Sequence, residues 1–154
     1  MNLIDPHRYL QPLRDIYENK IPFNRIFGFK VVSLKPGSVT VRFEMKEELI
    51  GNYVHGILHG GVISSVLDAA GGLAAASSIL EKMKDQPTEE IAKSIMKTGT
   101  IDLRVDYLRP GRGAYFRATS SIMRAGNRVA VTRMELHNDK DLLIAVGTGT
   151  YIVG

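Results

Sequence analysis

Hydrophobic and polar residues alternate through most of the chain after Gly99. Alternation with a period of two predicts strands that bury one face. In the first of these strands Ile101, Leu103, Val105 and Tyr107 share a face. The four predicted strands are IDLRVDYL, AYFRATSSIM, VAVTRMELH and LLIAVGTGTYI, and the turn-forming segments RPGRG, RAGN and NDKD separate them. Earlier in the chain, VVSL and VTVRFEM flank PGS and predict a hairpin.

Helical spacing of apolar residues replaces the alternation in three segments. The first spans about residues 5–20, begins at the cap pair Asp5 and Pro6, and ends before Pro22; Pro12 either kinks this helix or marks its true start. A long helix follows from about His59 to Lys84, and TEEIAKSIM forms a short one. Strands beside one segregated helix predict an α+β fold. We expect one domain over residues 1–154, with about six antiparallel strands curved around the long helix.

Composition and charge exclude several kinds of site and several classes of partner. The 154 residues include no cysteine, which excludes disulfides, thiol nucleophiles and cysteine-ligated metals. Charged residues near the N-terminus do not fit a signal peptide, so we expect a cytoplasmic protein without a membrane partner. The net charge of +4 is scattered along the chain and suits an anionic ligand or a solvated surface, and we expect no nucleic-acid partner.

The segment HGGVISSVLDAAGG in the long helix carries the candidate chemistry. At 100° per residue, Asp68 falls on a face that otherwise carries small residues, among them Gly61, Ser65 and Gly72. Glycine inside a helix costs about 1 kcal/mol relative to alanine, so Gly60, Gly61, Gly71 and Gly72 indicate the close approach of a backbone or a ligand. Free N–H groups at the helix start can bind an oxyanion. Simple helix packing is the alternative explanation.

Four segments give the chain a resemblance to a known family. They are IPFNRIFGFKV, LHGGVISSVLDAAGG, DYLRPGRG and the closing AVGTGTY, and together they extend over nearly the whole chain. In these segments the chain resembles the hotdog-fold thioesterases of the PaaI-like branch. The resemblance implies a hotdog fold, homodimers or dimers of dimers whose sheets join edge to edge, and acyl-CoA hydrolysis at the dimer interface without a cofactor.

The resemblance also implies roles for particular residues. Asp68 would be the general base or nucleophile, the Gly61 N–H would bind the thioester oxygen, and His59 would shape the turn that presents the glycines. Gly60 and Ser65 would line the substrate site. Relatives place an Asn six residues before the HGG histidine, whereas this chain has Tyr53 there and Asn52 beside it. Asn52 therefore either reaches the site through a shifted loop or caps a turn, and Tyr53 is a candidate substrate contact.

Two further sets of residues could bind ligands. His55 and His59 are four residues apart, but the intervening GIL and the following glycines do not fit a regular helix, so we expect no metal. Arg124 and Arg128 lie beside the predicted turn RAGN, where guanidinium groups suit the phosphates of CoA. Exposed charges at strand ends are an equally good explanation of either arginine.

Two other functions fit the same scaffold. The first is a non-catalytic acyl-CoA-binding domain; in ligand-sensing regulators a helix-turn-helix precedes such a domain, and about 25 residues before Phe27 are too few for one. The second is a hydratase or dehydratase, which pairs an Asp with a proton-shuttling His. His59 is nine residues from Asp68, and the 100° rule puts it on the other side of the helix.

Overall fold

The computed structural model describes the backbone of residues 7–154 and the side chains from Tyr9 onward. Long strands wrap one long helix, with a helical N-terminal segment packed beside them. In chain order the elements are α1 (His7–Asp15), a π-helical turn (Ile16–Lys20), α2 (Pro22–Phe27), β1 (Lys30–Lys35), β2 (Ser38–Glu44), a 3-10 turn (Glu47–Leu49), β3 (Ile50–Asn52), β4 (Ile57–Leu58), α3 (Gly60–Lys82), α4 (Thr88–Met96), β5 (Gly99–Tyr107), β6 (Tyr115–Ala125), β7 (Val129–Asn138) and β8 (Leu143–Ile152).

The main sheet confirms the predicted fold class. Its six strands are antiparallel and lie in the order β1-β2-β6-β7-β8-β5, and α3 packs against them. The hairpin predicted around PGS is β1 and β2, and Gly37 in its turn has a φ of +73° that favours glycine. The long helix, the short helix and the four last strands all form where the pattern predicts them. This arrangement is the hotdog fold.

The N-terminal segment differs from its prediction. Asp5 and Pro6, the predicted cap pair, lie outside the described residues, and Pro12 lies inside α1 instead of starting it. Pro22 was expected to end the helical segment, but it starts α2. Proline fits this position because the N–H that it lacks would have no partner in the first helical turn. Gly28, with a φ of +61°, ends α2 in the left-handed conformation.

A small second sheet was missed by pattern analysis. Strands β3 and β4 pair across the segment GNYVHG, just before α3. They have three and two residues, too few to show a period of two. This small sheet fixes the entry into α3, because the His59 N–H donates to the Leu49 carbonyl and the Leu58 N–H donates to the Gly111 carbonyl.

The core lies between α3 and one face of the main sheet. One apolar face of α3 is buried against the sheet, since Ile63, Val66, Leu67, Ala70 and Leu73 are at most 3 % exposed. By length and mean hydropathy α3 is also the one candidate membrane span among the described residues. Two thirds of its most apolar window is buried inside the fold, as expected for the central helix of a wrapped sheet.

Strand β5 is one edge of the main sheet and keeps apolar surface exposed. The face predicted to be buried is only partly covered, since Leu103 and Val105 are half-buried while Ile101 and Tyr107 are each 54 % exposed. A register shift between Thr100 and Asp102 interrupts its pairing with β8. A long, apolar edge strand offers unpaired backbone groups to another strand. The prediction of a buried face is therefore wrong for part of β5 in the single chain.

Truncation of the helix core tests this packing. We expect Leu73→Ala to lower the free energy of unfolding by about 2–5 kcal/mol, because Leu73 is fully buried against the sheet and its loss leaves a cavity. Urea unfolding followed by circular dichroism measures the change. Leu142→Ala is the control, since Leu142 is 45 % exposed in the β7–β8 turn and should shift stability by no more than about 0.5 kcal/mol. Equal effects of the two changes would contradict the assigned core.

Candidate active site

Asp68 lies in the third turn of α3 and is half-buried at the wall of a cavity. The cavity has a volume of about 200 Å³ and is open to solvent. No lysine, arginine or histidine of the described residues lines it. The lining residues come from the N-terminal segment, α3, β5 and β8, and they are Tyr17, Ile21, Phe23, Asn24, Ser65, Asp68, Ala69, Gly72, Thr98, Gly99, Thr100 and Tyr151.

Two hydroxyl groups are directed at the same oxygen of Asp68. Thr100 donates to Oδ1 across 2.9 Å, and the Tyr151 hydroxyl lies 3.2 Å from Oδ1 and 3.1 Å from the Asp68 backbone carbonyl. From Tyr9 to Gly154 no group forms a hydrogen bond with Oδ2. The carboxylate is thus held through one oxygen and offers the other to a substrate or a water molecule.

The two tyrosines of the cavity stay neutral at ordinary pH. Burial raises the pKa of the Tyr151 phenol well above its usual value, and the nearby Asp68 charge raises it further. The same two causes, in the same order, raise the pKa of Tyr17. A raised phenol pKa keeps the proton on the oxygen to higher pH, so both hydroxyl groups remain available as donors.

The start of α3 has a specific capping arrangement. His59 is the N-cap residue, and its Nδ1 accepts from the Gly61 N–H across 2.8 Å. The N–H predicted to bind the thioester oxygen is therefore already bonded within the turn. The Gly60 N–H forms no hydrogen bond with any part of the chain that the structure describes, and the Tyr107 hydroxyl donates to the Gly60 carbonyl across 3.1 Å. The role of His59 in presenting the glycines to a substrate stays a prediction.

The glycines later in α3 make room for tyrosines of the same chain. A Cβ at Gly71 would overlap the Tyr151 hydroxyl, and one at Gly72 would lie 3.3 Å from the Tyr17 hydroxyl. The close approach indicated by the sequence is therefore made by two phenols. Ser65 lines the cavity, and its hydroxyl donates to the Gly61 carbonyl across 2.6 Å, while its contact with a substrate stays a prediction.

Asn52 and Tyr53 do not line the Asp68 cavity of their own chain. Asn52 Oδ1 accepts from the backbone N–H groups of Val54 and His55, both at 3.1 Å, which is the turn-capping alternative. Tyr53 is 90 % exposed in the β3–β4 loop. A catalytic role for Asn52 and a substrate contact for Tyr53 stay predictions. Within one chain both residues lie in the segment that precedes α3, and neither lines the Asp68 cavity.

Arg124 and Arg128 are exposed and lie at the opposite end of the helix from the glycines. Lys82, the last residue of α3, donates to the carbonyls of Ala125 and Gly126 in the turn that separates the two arginines. Fourteen residues separate Asp68 from Lys82, which is about 21 Å of helix. The arginines are thus remote from the carboxylate of their own chain.

A metal site has no support in the described geometry. Among the residues that the structure describes, no three His, Asp or Glu side chains form a group that could hold a metal ion. His55 lies in an exposed turn, where its carbonyl accepts from Arg112 across 2.7 Å, and His59 caps α3.

Four residues that were not predicted to belong to the site contact it: Tyr17, Thr100, Tyr107 and Tyr151. A signal for one of them was present. In GTGTY the alternation puts Gly147, Gly149 and Tyr151 on one buried face, where two missing side chains leave space for one large ring. Nothing in the sequence near Thr100 or Tyr17 marks either residue, since both are 32 or more residues from Asp68 and meet it only in the folded chain.

Comparison with known proteins agrees with this architecture. The model of the thioesterase superfamily matches residues 55–145. The chain is 45 % identical, over 94 % of both proteins, to the Escherichia coli medium/long-chain acyl-CoA thioesterase YigI. A Shewanella oneidensis crystal structure described as related to the thioesterase superfamily superposes with a TM-score of 0.93, at 46 % identity over 97 % of both chains. The Escherichia coli PaaI structure shares the fold, with a TM-score of 0.76 at 20 % identity over 97 % of this chain and 95 % of PaaI. The chain therefore belongs to the thioesterase superfamily.

Proposed function

We propose that the chain hydrolyses acyl-CoA thioesters to a free acid and CoA. The observation that carries this proposal is the Asp68 carboxylate, which lines an open cavity with no cation on its wall; Oδ1 accepts hydrogen bonds, and Oδ2 accepts none from the described residues. The similarity to YigI, which is a medium/long-chain acyl-CoA thioesterase, supports acyl chains of that length as substrates.

Two mechanisms fit this geometry. In one, Asp68 Oδ2 takes a proton from water while the water oxygen bonds to the thioester carbon, and the thiolate then leaves and is protonated. In the other, Oδ2 itself attacks the carbon, the thiolate leaves, and water hydrolyses the resulting anhydride. Both mechanisms put negative charge on the carbonyl oxygen. The N–H groups of the first helical turn would stabilise it: Gly60 directly, and Gly61 once the His59 imidazole turns away.

Each site is proposed to include two chains. Gly61 and Asp68 are seven residues apart on α3, so about 10 Å separates them along the helix axis, and one thioester carbon cannot contact both within a chain. A homodimer in which the start of one α3 faces Asp68 of the other would join the two groups. The exposed apolar face and unpaired backbone of β5 favour association through this edge. Such a dimer would also bring Asn52 and Tyr53 to the partner's cavity.

The two alternative functions have less support. A hydratase would need a His near Asp68, but the His59 Nδ1 accepts from its own helix and no His lines the cavity among the described residues. A purely ligand-binding domain has no need of a carboxylate with a free oxygen. Assay of an acyl-CoA panel with thiol detection, together with enoyl-CoA absorbance, separates the classes. Release of thiol is expected, whereas loss of enoyl absorbance alone, or binding without turnover, would contradict the proposal.

Arg124 and Arg128 are proposed to bind the CoA phosphates. Because they are remote from the thioester, such contacts stabilise the ground and transition states alike. We expect Arg124→Ala and Arg128→Ala to raise KM several-fold with little change in kcat, and KM of the unchanged protein to rise with salt. Arg117→Ala is the control, since Arg117 pairs with Asp141 at the other end of β6. If KM is unchanged in both variants, the two arginines do not bind CoA and are only exposed surface charges.

The cytoplasmic location expected from the sequence stays a prediction. Fractionation of cells that express the tagged chain would test it, and recovery with the membranes would contradict it.

A further inference from the structure

Tyr151 is a buried side chain near the end of β8 whose only polar atom is directed at the candidate catalytic residue. It is 1 % exposed, and its hydroxyl lies 3.2 Å from Asp68 Oδ1 and 3.1 Å from the Asp68 carbonyl. We propose that Tyr151 is a positioning residue, which orients the Asp68 carboxylate so that Oδ2 faces the thioester. The inference rests on the proposed thioesterase function and adds a residue to it.

Two glycines give the Tyr151 phenol its place. A Cβ at Gly71, in the middle of α3, would overlap the hydroxyl, and a Cβ at Gly149 would lie 2.6 Å from both the hydroxyl and the ring carbon Cε2. No real Cβ approaches another atom so closely without displacing it. The chain therefore has glycine at two buried positions, one on the helix and one on the sheet, where any side chain would displace this one phenol.

The phenol is also fixed from the side. Its ring packs in a cluster with Ala75, Ile79 and Ala130, so few other side-chain conformations are open to it. Thr100, the second donor to Oδ1, is the cross-strand partner of Tyr151 in the pairing of β5 with β8. Thr100 and Tyr151 thus lie opposite each other on paired strands, and their uncharged hydroxyl groups both donate to Asp68 Oδ1. A carboxylate held in this way has its orientation set by packed neighbours.

Neutral donors suit a base or a nucleophile. The titratable side chains that line the cavity are Asp68, Tyr17 and Tyr151, and both phenols keep their protons at neutral pH. A cation in this position would stabilise the ionised carboxylate more strongly than a hydroxyl group does and would make it a weaker base or nucleophile. Hydroxyl groups stabilise the ionised carboxylate and leave its charge in place.

The first test is Tyr151→Phe, which keeps the ring and removes the hydroxyl. We expect kcat to fall about tenfold or more, the factor that loss of a hydrogen bond to a charged group produces, with KM changed by less than about twofold. The acidic limb of the kcat/KM profile should move to higher pH, because removal of a hydrogen-bond donor disfavours the charged form of a carboxylate. Tyr115→Phe makes the same change on β6, where the ring lies over Arg42, and should leave the limb where it is.

The second test is Gly71→Ala, which displaces the hydroxyl without removing it. We expect this variant to lower kcat and move the acidic limb in the same direction as Tyr151→Phe. In a double-mutant cycle, Gly71→Ala should lower kcat by a smaller factor when residue 151 is already phenylalanine, because the closest clash, with the hydroxyl, is gone and only the clash with Cζ at 2.8 Å remains. If Gly71→Ala lowers kcat by the same factor with tyrosine and with phenylalanine at position 151, its effect does not depend on the hydroxyl, and this part of the inference is wrong.

The outcomes distinguish the positioning role from the function itself. If the unchanged protein releases no thiol from acyl-CoA, the proposed function fails and Tyr151 has no reaction to support. If Asp68→Asn is inactive while folded Tyr151→Phe keeps both kcat and its acidic limb, the function stands and the positioning role is wrong. A lower kcat with an unmoved limb also overturns it, since the phenol would then donate only to the Asp68 carbonyl and support the helix.

Discussion

Asp68→Asn is expected to lower the hydrolysis of acyl-CoA by about a hundredfold or more, as loss of a general base or nucleophile does. The variant should keep its fold and assembly, because the asparagine carbonyl oxygen can still accept from Thr100 and Tyr151 as Oδ1 does. What it lacks is a negatively charged oxygen directed into the cavity. Thiol release gives the rate, and circular dichroism with gel filtration checks the structure.

Asp85→Asn is the matched control, since the same change is made at an exposed position between α3 and α4. It should keep the rate of the unchanged protein. If purified Asp68→Asn instead retains more than about a tenth of the activity, the assignment of Asp68 is wrong. Glu47 and Glu48, which lie in the 3-10 turn before β3, would then be the next carboxylates to replace.

Mixing two inactive subunits is expected to restore activity. An Asp68→Asn chain keeps the glycine turn, and a Gly61→Val chain keeps the carboxylate. The added side chain in Gly61→Val fills the space beside the Gly61 N–H that the thioester oxygen would need, where even a Cβ would lie 2.9 Å from His59 Nδ1. After unfolding and random reassociation about half of the dimers are mixed, and on a two-fold scheme each mixed dimer has one intact site of two. Activity should recover to about a quarter of that of the unchanged protein.

The controls for this experiment are the two homodimers, each carried through the same unfolding and reassociation. Each should stay inactive, while the unchanged protein should regain its rate. Different affinity tags on the two subunits allow the mixed dimers to be counted. Mixed dimers that form and have no activity would falsify the shared site, and both groups would then have to act within one chain, or one of them would be misassigned.

The elements of this fold follow from local patterns in the sequence. Alternation predicts six strands, and helical spacing predicts α3 and α4, because burial of one face imposes a period that neighbouring residues reveal. The pattern fails where an element is too short to show a period, as in β3 and β4. It also fails where one residue fits two different structural positions. Pro22 is such a residue, since a proline that cannot continue one helix can begin the next.

Part of the candidate site is also a property of the sequence. HGG and Asp68 belong to one helix, so the sequence by itself determined that a glycine turn begins the helix and a carboxylate follows on the face of small residues. It also determined that about 10 Å separates Gly61 from Asp68, since the rise of a helix is fixed. Because of that distance, we propose a site that is formed by two chains.

Only the tertiary structure decided what surrounds the carboxylate. Tyr151 is 83 residues from Asp68 and Thr100 is 32 residues from it, and the contacts depend on the register of β5 and β8 and on the packing of α3 against them. The sequence indicates that Gly71 and Gly72 face a close neighbour, but the neighbour is a tyrosine in each case. Distant side chains meet through the packing of the whole sheet and helix, which no local period encodes, so the surroundings of Asp68 are a property of the fold.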